Sequence, residues 1–184
     1  MSHAGGSERE VHERALQVRL VQPTDLPAIV AIYNASIPGH SATTDLVPVT
    51  MADREAWFAA HEPSRHPLWV AVNGADVVGW MSLSTFYGRA AYIPTVEASL
   101  YVHPDWQRRG VGRFLLRYAV QAAPALGIRT ILAVVFAHNT ASLRLLDGEG
   151  FARWGLMPRI AHMPEGRRDV VIFGLELDPD PDPE

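Results

Sequence analysis

From Ala98 to Leu116 the chain passes without a break from an alternating stretch, through a glycine turn, into a helical pattern. Leu100-Tyr101-Val102 reads as the end of a strand, and Pro104 stops it. Gln107-Arg108-Arg109-Gly110-Val111-Gly112 then turns, and Val111, Leu115, Tyr118 and Ala119 recur at helical spacing. Two glycines in three residues let the backbone turn tightly and leave amide N–H groups uncovered. At a helix N-terminus such amides, together with the helix dipole, form a site for an anion. The flanking arginines add charge-assisted hydrogen bonds to phosphate oxygens. A bare Gly-x-Gly can equally be a simple turn. A Walker or dinucleotide site is disfavoured, because neither Gly-Lys-Ser/Thr nor a Gly-x-Gly-x-x-Gly after a strand is present.

Around this unit the pattern predicts a strand at Leu16 to Val21, and a helix capped by Thr24 that carries Leu26, Ile29, Val30, Ile32 and Tyr33. Ser36 to Thr50, with Pro38, Gly39 and Pro48, reads as a loop, and Ala52 to His61 as a short helix with Trp57 and Phe58 facing inward. Leu68 to Val72 and Val77 to Leu83 are strands joined at Asn73-Gly74, a strong hairpin signal. A strand over Val96 to Val102 leads into the helix Gly110 to Ala123. The strand Ile128 to Phe136, the helix Thr140 to Glu149, extended chain from Phe151 and a last strand over Asp169 to Leu177 complete the order. Hairpins with one parallel crossover imply a mixed α/β (α+β) sheet with helices on both faces.

The chain has 184 residues, 48% of them hydrophobic, which suits one globular domain. We expect a loose polar arm over residues 1–15, the domain over 16–178 and an acidic, proline-rich tail over 179–184. A net charge of −4 speaks against a nucleic-acid partner; arginines cluster only locally, at Arg108 and Arg109 and at Arg167 and Arg168. The absence of cysteine excludes disulfides, cysteine-ligated metals and the commonest nucleophile for a covalent acyl-enzyme. It also fits a cytoplasmic location. No apolar run approaches the ~20 residues of a membrane-spanning helix. His3, His12, His61 and His66 have no metal-ligand spacing, so no metal is expected.

In full context the run at 98–116 resembles the central motif of the GCN5-related N-acetyltransferase family. The resemblance extends over about Val18 to Leu177. Ala91-Tyr92, Thr95-Val96-Glu97-Ala98-Ser99, Ile32-Tyr33-Asn34, Arg54-Glu55-Ala56-Trp57-Phe58, Asn139-Thr140-Ala141-Ser142 and Gly150-Phe151 are similar to the branch that acetylates phosphinothricin and methionine sulfone or sulfoximine. Arg167 departs from it, since that branch often has an aromatic residue there. The resemblance implies a mostly antiparallel, twisted sheet of six to seven strands, acetyl-CoA as cosubstrate, and a homodimer. It implies that amides from Arg108 through Arg109, Gly110 and Val111 to Gly112, with Gln107, hold the pyrophosphate. It also implies that Leu100, Tyr101 and Val102 pair with the pantetheine arm, and that Asn139 and Ser142 contact the cofactor. Asn and Ser at this position would equally cap a helix.

Acetylation of an amine needs a base, because the amine is mostly protonated at neutral pH. Strand alternation puts Glu97, Ser99, Tyr101 and His103 on one face and Val96, Ala98, Leu100 and Val102 on the other. Glu97 could be that base or an acid salt-bridged at the strand mouth; the match of Thr95-Val96-Glu97 to the family assigns it as the base. Seven residues after Asn139, where many relatives carry a proton-donating Tyr or His, stands Leu146. Tyr101, His138, water or unaided departure of the thiolate remain open, and no general acid is assigned.

For the acceptor, Arg89 and Tyr92 lie in a loop before Glu97, and Arg89 could pair with a carboxylate or phosphinate or simply be solvated. Asn34 and Thr95 are further candidates. The expected acceptor is a small amino-acid-like amine. A protein N-terminus, lysine or polyamine, or a non-catalytic acyl-CoA-binding module, are the alternatives.

Overall fold

The structure is a computed structural model, and it describes residues 16–177. The arm at 1–15 and the acidic tail lie outside the described residues. The strands are β1 (Leu16–Leu20), β2 (Leu68–Asn73), β3 (Asp76–Thr85), β4 (Thr95–Val102), β5 (Thr130–Phe136), β6 (Ala152–Met163) and β7 (Gly166–Glu176). The α-helices are α1 (Leu26–Ser36), α2 (Met51–Ala59), α3 (Val111–Ala122) and α4 (Thr140–Gly148). The strands form one seven-stranded sheet in the order β1-β2-β3-β4-β5-β7-β6. Only the β4–β5 pair is parallel; the others are antiparallel.

The alternation of β2 explains the two-layered packing. Leu68, Val70 and Val72 face α1 and join Ile29, Ile32, Tyr33 and Trp80 in one core. Trp69 and Ala71 point the other way, to Leu115, Leu116 and Ala119 of α3. Both faces of this strand are covered, so all but its last residue are buried. Helix α3 comes close to β3 because Gly79 lacks a side chain: a Cβ there would sit 3.0 Å from Val111 and 3.2 Å from Leu115.

Thr24 does not cap α1. It sits inside a 3₁₀ turn over Pro23–Asp25, and the capping chemistry falls to its neighbour. The Asp25 carboxylate accepts from the Gln22 N–H at 2.7 Å and is held by both ends of the Arg19 guanidinium. Helix α2 begins one residue earlier than its pattern suggested, because Thr50 and Asp53 form a capping box. The extended chain from Phe151 becomes a long hairpin, β6–β7.

Candidate active site

Strand β4 pairs with β3 from Val96 to Val102. With β5 it pairs only at Thr95, Val96 and Glu97. Beyond Glu97 the parallel pair parts, while β5 stays bound to β7. A cavity of about 320 Å³ opens in the gap, lined by Glu97 to Tyr101 on one side, Val134 to Phe136 on the other, and Asn139, Ser142 and Leu145 beyond. On this side the backbone of residues 98–102 has no strand partner. It is therefore free to pair with an extended, amide-bearing arm.

Glu97 stands where the strands part, half-buried and directly opposite Ser84 across the β3–β4 ladder. Among the described residues no ion pair reaches its carboxylate, so the salt-bridged alternative is not what the structure shows. Burial alone raises its pKa above the usual carboxylate range.

At the other end of β4 the His103 ring accepts the Asp105 N–H, and a 3₁₀ turn over Pro104–Trp106 follows. Arg108 and Gly110 both adopt left-handed backbone, φ +59° and +86°, which swings the chain into α3. Gly110 is the N-cap of α3, and no side chain caps the helix start. The first amides of α3 thus face outward beside exposed Gln107, Arg108 and Arg109, a cradle suited to a pyrophosphate. The Arg109 guanidinium lies over the Trp106 ring at 5.4 Å. Arg113 and Arg117 both bind Glu149.

The loop after α1 roofs the cavity with Ser41 to Thr44. Three side chains from below hold three successive carbonyls of this strap. His138 Nε2 donates to His40 O at 3.1 Å, Asn139 Nδ2 to Ser41 O at 2.9 Å, and Tyr101 Oη to Ala42 O at 3.2 Å. Tyr33 Oη extends the stitching by bonding Thr43 Oγ1 and donating to Asp45. The capping role of Asn139 is present too, since its Oδ1 accepts the Ser142 N–H at 3.1 Å.

The sequence-derived candidates therefore divide. Glu97, Leu100, Tyr101, Asn139 and Ser142 line one cavity. Val102 packs beside it in the α3 core, and Gln107 to Gly112 form the cradle at its end. Arg89, Tyr92, Thr95 and Asn34 are not on its wall. Tyr92 sits in an exposed aromatic group with Phe86 and Tyr87, and Arg89 lies over the Tyr87 ring at 6.0 Å. Thr95 pairs with Thr130 at the closed end of the strands. The Asn34 amide is used in both directions on the backbone of Val49, at 2.9 Å each, so it anchors the loop before α2. Tyr33, the strap and the β5 wall escaped the sequence reading. A buried tyrosine needs a partner for its hydroxyl, and a structureless loop as long as 36–50 is often functional; these were the available signals. Leu146, 5% exposed, forms part of the cavity floor and the core. No metal-holding cluster of His, Asp or Glu occurs among the described residues, and no helix there is long and apolar enough to cross a membrane.

Comparison with known proteins agrees with this geometry. The profile of the acetyltransferase (GNAT) family matches residues 28–151. A Bacillus subtilis protein provisionally named a phosphinothricin acetyltransferase is 47% identical over 163 residues, covering 88% of this chain and 99% of its own. The L-methionine sulfoximine/L-methionine sulfone acetyltransferase of Pseudomonas paraeruginosa is 34% identical over 156 residues, covering 84% and 91%. Among solved structures, a phosphinothricin acetyltransferase from Sinorhizobium meliloti in complex with acetyl-CoA superposes with a TM-score of 0.85 at 27% identity, covering 92% of each chain. The family profile spans most of the chain and the fold is shared with the acetyl-CoA complex, so the chain belongs to the GNAT acetyltransferase family.

Proposed function

We propose that this enzyme transfers the acetyl group of acetyl-CoA directly to the amine of a small amino-acid-like acceptor of the phosphinothricin or methionine sulfone/sulfoximine type, with Glu97 as the base. The observation that carries this reading is the half-buried Glu97 carboxylate, free of any cation, at the point where β4 and β5 part. Its raised pKa suits it to take a proton from an ammonium group near neutral pH. The β4 backbone at Leu100 to Val102, open on the edge that faces β5, supports its pairing with the pantetheine arm, and the uncapped amides from Arg108 to Gly112 its hold on the pyrophosphate. Asn139 and Ser142 stand on the same wall, within reach of that arm. Direct transfer is favoured because the chain has no cysteine to carry an acyl group.

A cavity of this size, roofed by the strap, favours a small acceptor over a protein N-terminus or lysine. Arg89, Tyr92, Thr95 and Asn34 lie off its wall, so Tyr33 and the strap are stronger candidates for touching the acceptor. We also take the enzyme to be cytoplasmic and a homodimer, with a single domain over 16–178. The exposed apolar row Trp154, Leu156 and Ile160 on edge strand β6 supports a second copy as partner. Light scattering tests the dimer.

The decisive assay follows CoA release over a panel containing methionine sulfone, methionine sulfoximine, phosphinothricin, a polyamine and a short peptide. Turnover confined to the amino acids is expected. Turnover confined to the polyamine or peptide would overturn the acceptor class. Thermal stabilisation by acetyl-CoA without any turnover would leave a binding module.

A further inference from the structure

His61 follows α2 and lies against the end of β3, on the same side of the sheet as Glu97. Its Nδ1 lies 2.8 Å from the Trp57 carbonyl oxygen. A carbonyl only accepts, so Nδ1 carries the hydrogen and the neutral ring presents Nε2 as an acceptor. That nitrogen is 3.4 Å from the Ser84 hydroxyl. Ser84 is in turn the direct cross-strand partner of Glu97, and such partners hold their Cβ atoms about 4.5–5.5 Å apart on one face. Glu97 and Ser84 thus share one face of the β3–β4 ladder, and Ser84 leads on to His61; no hydrogen bond joins Ser84 to Glu97 before an acceptor binds. The Trp57 ring, 4.5 Å from the imidazole at 63°, fixes its plane.

We propose that His61 removes from the site the proton that Glu97 takes from the amine, with the Ser84 hydroxyl as the bridge. The inference rests on the reading of Glu97 as the base. The ammonium loses one proton to the Glu97 carboxylate. The resulting carboxylic acid passes a proton to Ser84 Oγ as the Ser84 hydroxyl proton moves to His61 Nε2. Glu97 is again a carboxylate and His61 an imidazolium, which loses its Nε2 proton to solvent. No oxidant, metal or further reactant is needed. His61 and Ser84 act through Glu97 and are positioning residues. The 3.4 Å separation is long for a finished hydrogen bond, as is common for relay groups before the acceptor is bound.

The surroundings keep His61 neutral and ready to accept. Burial lowers its pKa, the bond to Trp57 opposes that shift, and His66 on the same loop adds to it. The other ionisable groups around it are Glu62 and Arg65 beside His66, Arg54 across the Trp57 ring, and Glu97 on β4. A metal-site reading of His61 and His66 finds no support, since each ring is committed to a hydroxyl of β3.

The test uses His61→Asn, whose amide nitrogen can keep the bond to Trp57, and His61→Gln, which places an untitratable amide near the Nε2 position. Ser84→Ala breaks the bridge without touching either ring. Each is compared with wild type and Glu97→Gln for kcat, its dependence on imidazole-buffer concentration, and thermal stabilisation by acetyl-CoA. The relay predicts that all three variants lose about tenfold or more in kcat, keep acetyl-CoA binding, and regain rate as imidazole concentration rises, while wild type is insensitive to it. Variants within twofold of wild type and insensitive to buffer, beside an inactive Glu97→Gln, would overturn the relay and leave the base. A fully active Glu97→Gln would overturn the base and the relay together. Should the His61 variants fail to fold, Ser84→Ala alone decides by the same two readouts.

Discussion

Tyr101 Oη donates to the carbonyl oxygen of Ala42 across 3.2 Å, so the strand that bears Glu97 also holds down the strap over the cavity. The same ring stacks on Trp80 with centroids 4.7 Å apart. Burial drives the phenol far above its usual pKa, which suits it to tying the strap and not to protonating a departing thiolate. Tyr101→Phe should raise KM severalfold and lower Tm by about 2–4 °C, as expected for one net hydrogen bond of about 1 kcal/mol. Its kcat should stay within about tenfold of wild type. Steady-state kinetics check this, and a loss beyond about 100-fold in kcat would instead make Tyr101 the proton donor.

Glu97→Gln should lower kcat by about 10²–10⁴-fold while acetyl-CoA still stabilises the protein. In wild type, kcat/KM should rise with pH through the raised pKa of Glu97, placing the acid limb above the usual carboxylate value of 4.5. Stability should run the other way. The folded state holds the Glu97 proton more tightly than the unfolded state does. Its contribution is therefore complete below 4.5 and is lost as pH rises through the folded pKa. Glutamine has no such loss, so the variant should melt higher than wild type in mildly alkaline buffer and equally in acid. Melting curves across pH decide it; a variant less stable at alkaline pH would mean that the carboxylate has a partner.

The strand–turn–helix at Leu100 to Leu116 was legible because its signals are local: alternation, a proline stop, two glycines and a helical period. The cavity was not, because it arises where β4 and β5 stop pairing after Glu97 and Leu132, a consequence of how β5 is drawn towards β7. The strap was invisible for a related reason. Its carbonyls are held by Tyr101, His138 and Asn139, 59 and 98 residues away in the chain, and its own sequence has no period. Asn34 shows the same limit, since nothing beside it predicts Val49 as its partner. Thr24 and Asp25 are adjacent capping residues, and Arg19 on β1 selects the second.

Gly110→Ala separates backbone strain from ligand binding when compared with Gly127→Ala. Both glycines have left-handed backbone, φ +86° and +73°, where alanine costs about 1–2 kcal/mol. Each variant should lose roughly 2–6 °C in Tm. A Cβ on Gly127 meets nothing within 4 Å, so that variant should keep its KM for acetyl-CoA. Gly110 caps the anion cradle, and its variant should raise that KM by about tenfold or more, the loss of one charge-assisted contact. Calorimetry with acetyl-CoA would show the difference, and equal affinities would detach the cradle from cofactor binding.

Asn139 does two jobs, and two substitutions tell them apart. Alanine removes both the acceptor for the Ser142 N–H and the donor to Ser41 O. It should cost about 1 kcal/mol as a lost helix cap, loosen the strap and raise KM. Aspartate keeps the acceptor and adds a negative charge at the start of α4, where the helix dipole favours one. It has no donor for Ser41, however, and turns an oxygen against that carbonyl. Asn139→Asp should therefore melt close to wild type yet match the alanine variant in KM and in protease cleavage between residues 37 and 50. If aspartate matched wild type in both, the tie to Ser41 would be incidental and Asn139 a cap alone, because aspartate keeps the acceptor for Ser142 and loses the donor to Ser41.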